Sequence, residues 1–264
     1  MTQYVLSLSY GKDSLACLGA IEELGWPLDR IVHAEVWATE EIPADLPPMV
    51  EFKAKADAII KERWGIEVEH VRGKRTYEDC FYLTNNGTGE KFGGKIYGFP
   101  YRMGQWCNSR LKMEAINKGK RKIDISYIGI AADEPGRFHN LSDTNRSPLV
   151  EAGWTEEDCR RWCEENDLLS PIYTTATRGG CWFCHNQGIG QLRLLRRNYP
   201  EYWALMLKWD LDSPVTFKAD GQTVHDFDRR FQMEDEGLID PKAPFRWDSL
   251  DKELNYSLFA QEGL

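Results

Sequence analysis

No apolar run in this chain approaches the roughly 18 residues that a membrane-crossing helix needs, so the sequence reads as having no membrane span. Its opening, Met-Thr-Gln and then an apolar strand pattern, lacks the basic, apolar and small-residue succession of a secretory leader, which points to a cytosolic protein. Internal repeats and low-complexity segments are missing as well. Excess positive charge is absent: a net charge of −9 argues against wholesale coating of nucleic acid. Cysteine is absent from the 80 residues after Cys184. What remains is a chain of 264 residues, 42% hydrophobic, long enough for one large α/β domain or a domain with an appended lobe. Seven cysteines in a reducing compartment suggest thiol chemistry or metal ligation before disulfides.

The segment Ser9-Tyr10-Gly11-Lys12-Asp13-Ser14 follows the apolar run Tyr4–Leu8 and precedes a helical pattern from Leu15 to Ile21. A strand that turns through Ser, Gly and Lys into a helix start suits a phosphate chain. First-turn N–H groups lack intrahelical partners, the helix dipole is positive there, and Lys12 adds a full charge. Gly11 lets the backbone approach the anion. The glycine spacing is not that of Walker A. The plain alternative is a strand–turn–helix with a surface lysine.

Strand and helix patterns alternate through the first 130 residues. Arg30–Trp37 reads as a strand and Pro47–Trp64 as a helix stopped by Gly65. Ile66–Val71 and Asp124–Ile130 read as further strands. Helix-length crossovers imply βαβ units and a mostly parallel sheet, with ligands beyond the carboxyl ends of its strands. Between Arg72 and Gly104 lies an excursion with seven aromatic residues, read as an inserted hairpin-like flap over 73–105. Beyond residue 150 the pattern turns helical: Thr155–Glu165, Gln191–Arg197, Pro200–Trp209 and Val224–Glu236. The expected architecture is therefore a doubly wound α/β domain over 1–150 and a helical, cysteine-containing lobe over 151–264.

Cys181-Trp182-Phe183-Cys184 places two thiols two residues apart, suited to chelating one metal or one cluster edge. Cys107 begins a segment that reads as a basic helix, where Arg102, Arg110, Lys112, Lys118, Lys120, Arg121 and Lys122 meet only one acid, Glu114. Cys159 and Cys163, four apart, share one helix face. The ligand set expected from these positions is Cys107, Cys163, Cys181 and Cys184, with Cys159 in reserve. All-thiolate ligation suits an iron–sulfur cluster or structural zinc; a metal-free thiol pair is the third option. His185 reads as a hydrogen-bonding neighbour, Cys17 and Cys80 as packing. Arg193, Arg196 and Arg197 read either as an amphipathic surface helix or as a nucleic-acid contact.

The phosphate loop resembles the PP-loop, SGGKDS, of the adenine-nucleotide alpha-hydrolase-like superfamily, with Tyr10 in place of the first glycine of the pair. Taken with Cys107, the run Gly129 to Arg137 and the Gly-Gly-Cys-x-x-Cys turn, the chain resembles the phosphoadenosine-phosphosulfate reductase family from residue 4 to about 190. The resemblance implies a PP-loop fold and an enzyme of sulfur metabolism. It also implies an iron–sulfur cluster, 4Fe-4S by preference, and ATP with magnesium or an adenylyl sulfonucleotide. Nucleotide contacts fall to Ser9, Tyr10, Gly11, Lys12, Asp13, Ser14, Gly129 and Asp133, and catalytic roles to Lys12, Asp13 and Arg137. Implied partners are the adenine nucleotide, an unidentified sulfur donor, optionally a nucleic-acid substrate and optionally a second copy of the chain. The Glu-Cys-Gly nucleophile of sulfonucleotide reductases has no counterpart, and Cys107 is followed by Asn108 rather than a second cysteine. ATP-dependent adenylation followed by sulfur transfer is therefore the first expectation. A sulfonucleotide reductase-like reaction is the second, and a nucleotide-dependent nucleic-acid-binding module with structural zinc the third.

Overall fold

The computed structural model describes residues 1–87, 93–100, 105–139, 141–174 and 179–247. Five strands form one sheet: β1 (Tyr4–Ser7), β2 (Arg30–Glu35), β3 (Val68–Arg72), β4 (Ile125–Tyr127) and β5 (Asn145–Arg146). Their order is β3-β2-β1-β4-β5, and every pairing is parallel. The α/β class expected from the alternating patterns is the class observed. The order reverses between β1 and β4, so the carboxyl ends of these two strands flank the switch point where such sheets bind ligands.

Helices α1 (Lys12–Leu24), α2 (Pro47–Trp64) and α3 (Tyr77–Phe81) come first. A π-helical turn, Asn108–Met113, then runs into α4 (Glu114–Asn117). Next come α5 (Pro135–Phe138), α6 (Pro148–Ala152), α7 (Glu156–Glu165), α8 (Ile189–Asn198), α9 (Pro200–Asp212) and α10 (Val224–Asp235). Pro47 and Pro48 open α2, and Gly65 closes it at φ 68°. Helix α7 starts on a capping box in which Thr155 and Asp158 satisfy each other's backbone N–H.

The described chain divides into two compact units. One contains Met1–Cys80 and Trp106–Trp182; the other contains Phe81–Gln105 and the chain from Phe183. Residues 151–182 therefore pack with the sheet rather than with the later helices, a different partition from a break at 150. The reason lies in α1, which is buried almost all round because α6 and α7 pack on it. Leu6, Leu8, Leu15, Leu18, Ile31 and Tyr127 form the core there, together with Cys17, Cys159 and Cys163. Burying each of those leucines contributes about 1.5–3 kcal/mol. Trp162 lies so close to Gly19 that a Cβ on that glycine would sit 2.4 Å from the indole.

In the second unit the excursion forms antiparallel backbone bonds. Asn85 N–H donates to the Lys95 carbonyl at 2.8 Å and Tyr97 N–H to the Leu83 carbonyl at 2.9 Å, as in a hairpin. Its aromatic residues build that unit's core: Phe81 and Phe99 pack edge to face at 5.5 Å, and Phe99 meets Phe217 at 5.1 Å. Phe92, Tyr101 and Arg102 lie outside the described residues.

Candidate nucleotide site

The exit of β1 bends sharply at Tyr10, whose φ of 56° is left-handed backbone, a conformation glycine adopts freely and a tyrosine adopts at a cost of about 1–2 kcal/mol. The special backbone position thus falls on Tyr10, while Gly11 is extended at φ −76° and serves as the helix N-cap. Burial of the phenol holds the bend. Tyr10 is 1% exposed, its hydroxyl donates to Asp57, and it lies 3.2 Å from His70 Nε2. Burial, with the Asp57 hydrogen bond, pushes that phenol far up, so it stays protonated. Ser14 ties the loop from within: its Oγ accepts from Ser9 N–H at 3.1 Å and donates to the Gly11 carbonyl at 3.0 Å.

Lys12 is nearly buried. Its Nζ donates to Asp13 at 2.6 Å and to Glu156, at the start of α7, at 2.9 Å. Burial works against the ammonium, but the bonds to Asp13 and Glu156 outweigh it and the pKa is raised. Burial raises the Asp13 carboxyl even beside Lys12, with repulsion from Glu156 and Glu134 adding to it. The Lys12 backbone N–H donates to the Tyr173 hydroxyl at 3.0 Å.

A cavity of about 300 Å³ opens at this edge. Ser9, Tyr10 and Gly11 line it on the loop side, Val36 and Met49 supply apolar wall, and Tyr173 and Cys181 also line it. The basic segment contributes Lys112 to the same lining.

The loop after β4 uses its groups differently. A Cβ on Gly129 would lie 2.7 Å from Ser14 N, so this glycine lets the strand exit press against the first turn of α1. Asp133 accepts the Glu156 N–H at 3.1 Å, and exposed Arg137 is paired with Glu134 at 2.8 Å. Glu40, after β2, is ion-paired with Arg72.

The cysteines divide into two sets. Cys163 is fully buried and donates its Sγ–H to the Lys12 carbonyl at 3.3 Å. Burial, and then Cys159, push its thiol well up; burial pushes Cys159 to about 12. Metal ligation needs thiolates, and the shared face of these two residues is the one packed on α1. Cys17 and Cys80 are buried packing residues, as expected. Cys107, Cys181 and Cys184 keep partial exposure. Among the described residues, no three His, Cys, Asp or Glu side chains gather closely enough to hold a metal ion. Cys163 is thus a packed thiol held against α1.

Arg193 pairs with Glu234 at 2.5 Å, Arg196 with Asp228 at 2.8 Å and Asp235 at 2.6 Å, and Arg197 approaches Asp235 at 3.9 Å. The acids of α10 thus engage all three, as the surface-helix reading expects.

Sequence reasoning missed His33, Lys53 and Tyr173. The signal for Tyr10 was available, since a bulky residue stood where the loop needs left-handed backbone.

A parallel α/β sheet, with a strand–helix turn after β1 and a cavity beside the exits of β1 and β2, defines the class of this molecule as an α/β fold. No family model matches the chain, and no curated protein matches it. Among solved structures, the chain is similar to the U34-tRNA thiolase NcsA from Methanococcus maripaludis with its 4Fe-4S cluster, at 15% identity and a TM-score of 0.38. The similarity covers 88% of this chain and 72% of that one. Among the described residues no helix is long and apolar enough to cross a membrane.

Proposed function

We propose that this chain is a PP-loop-type enzyme of sulfur metabolism that binds ATP, or another adenylyl nucleotide, at the exit of β1 and brings it to a cysteine sulfur. One observation carries the reading: the loop Ser9–Gly11 and Cys181 line the same cavity. The loop and the first turn of α1 supply backbone N–H groups for the phosphates. Gly129 sets the approach of the β4 exit, and Asp133 fixes the end of α7 that bears Glu156. Asp13 and Glu156, which share the Lys12 ammonium, are the carboxylates to hold magnesium, which when bound neutralises a departing pyrophosphate. Lys12 is then released toward the nucleotide. In the adenylation step an acceptor oxygen attacks the α-phosphorus, the bond to the pyrophosphate oxygen breaks, and AMP becomes the next leaving group. No step is assigned to a cluster, because Cys163 is a packed thiol.

Binding of ATP and of adenylyl sulfate, measured beside pyrophosphate release, tests the reading. ATP binding with release supports adenylation; sulfonucleotide binding without release moves the activity to the reductase-like reaction; binding of neither overturns the proposal. Lys12→Ala is expected to weaken nucleotide affinity about tenfold, or about 1.4 kcal/mol. Unchanged affinity would show that the loop does not hold phosphate.

A further inference from the structure

A second polar group faces the cavity away from the loop: His33 on β2, Lys53 on α2 and Asp45 just before α2. His33 Nδ1 lies 2.8 Å from the Leu8 carbonyl oxygen. A carbonyl only accepts, so Nδ1 carries the proton and the neutral ring offers Nε2 as an acceptor. Burial, and then the Lys53 charge, lower this histidine to about 3 and keep it neutral. Lys53 Nζ stands 2.8 Å from Nε2, donates to Asp45, and sits 5.2 Å from the centre of the Tyr10 ring. An ammonium has three N–H donors. Two are taken, by His33 and Asp45, and Lys53 is a lining residue of the cavity that also contains Gly11 and Cys181. Lys53 and Lys112 place two ammonium groups on that wall, against the single carboxylate of Asp45. Lys12, by contrast, is not among the lining residues.

We infer that Lys53, fixed by His33 and Asp45, is a second oxyanion-recognition point of this site, selecting adenosine compounds that bear a phosphate or sulfate. The inference rests on the nucleotide reading and deepens it. Asp45 lends the ammonium a partner while the cavity is empty and competes with the incoming anion. His33 orients the same ammonium without competing through charge, and its bond to Leu8 ties the arrangement to the phosphate loop. Lysine here is a compact point charge on a flexible stem that His33 and Asp45 hold in place, well suited to a tetrahedral oxyanion.

The test compares the full-length wild type with Lys53→Met and Asp45→Asn, titrating adenosine, AMP, ATP and adenylyl sulfate, with thermal unfolding of the ligand-free proteins alongside. Lys53→Met is expected to weaken AMP, ATP and adenylyl sulfate about tenfold and leave adenosine unchanged. A loss confined to adenylyl sulfate assigns the position to sulfate, and a loss shared with AMP assigns it to phosphate. Asp45→Asn is expected to tighten the anionic ligands severalfold, a gain that a purely structural ion pair would not give. If wild type binds and Lys53→Met leaves every anionic ligand unchanged, or weakens adenosine equally, the inference is overturned. If wild type binds none of the four, it is the nucleotide reading that fails. Should Lys53→Met not fold, the absence of tightening in Asp45→Asn overturns the inference by itself.

Discussion

Two loops leave neighbouring strands of the same sheet, and both carry glycine, acid and a basic residue. After β4, Arg137 is held by Glu134, Asp133 caps α7, and Ser147 donates to the Ile130 carbonyl at 2.6 Å. After β1, residues of the loop line a cavity, and Lys53, Lys112, Tyr173 and Cys181 line it with them. The contrast is one of position rather than of pairing: Lys12 and Arg137 are both ion-paired, yet Ser9–Gly11 line the cavity and no described residue of the β4 loop does. The β4 loop supports the site by shaping its neighbours; the β1 loop touches it.

The largest effect should come from Gly129→Val. The new side chain would press on backbone atoms of Asp13 and Ser14, which cannot swing aside, and a destabilisation of about 3 kcal/mol is expected in denaturant unfolding. A near-neutral result would break the comparison by showing that the two loops are not in contact. A middling effect concerns His33. Its folded pKa lies below the unfolded value of about 6.5, so the unfolded chain takes the proton first. Its contribution is present above about pH 6.5 and is lost as pH falls toward 3, with a slope approaching about 1.4 kcal/mol per pH unit. Urea unfolding from pH 7.5 to 5 should show that slope, and His33→Asn should remove it. Equally steep profiles would rule out His33 as the group responsible. The smallest effect belongs to Arg137→Ala, which severs an exposed pair and should change stability by about 0.5 kcal/mol or less. A large fall in nucleotide affinity would instead show that this arginine leaves Glu134 to clamp an anion.

Much of the frame was legible because its signals are local. The bounds of α2 follow from two prolines and a terminal glycine, and those of α7 from its capping box. Strand β5 is two residues long and offers no periodicity to read. The cysteine spacing in α7 showed that Cys159 and Cys163 share a face, but not that α1 would cover it; that depends on a contact some 150 residues away in sequence. Lys53 and His33 were invisible for the same reason. Neither belongs to a motif, and only the sheet-and-helix packing brings them together.

The packing of Trp162 over Gly19 has a consequence for how the chain is made. Helix α1 leaves the ribosome well before α7, which seats it, and the intervening chain must close before either is anchored. Synthesis from the amino terminus therefore yields the β1–α1 loop long before it yields the support that holds it. A nascent chain stalled before residue 156 should present α1 unclamped, and competence to bind should arrive abruptly, as α7 emerges.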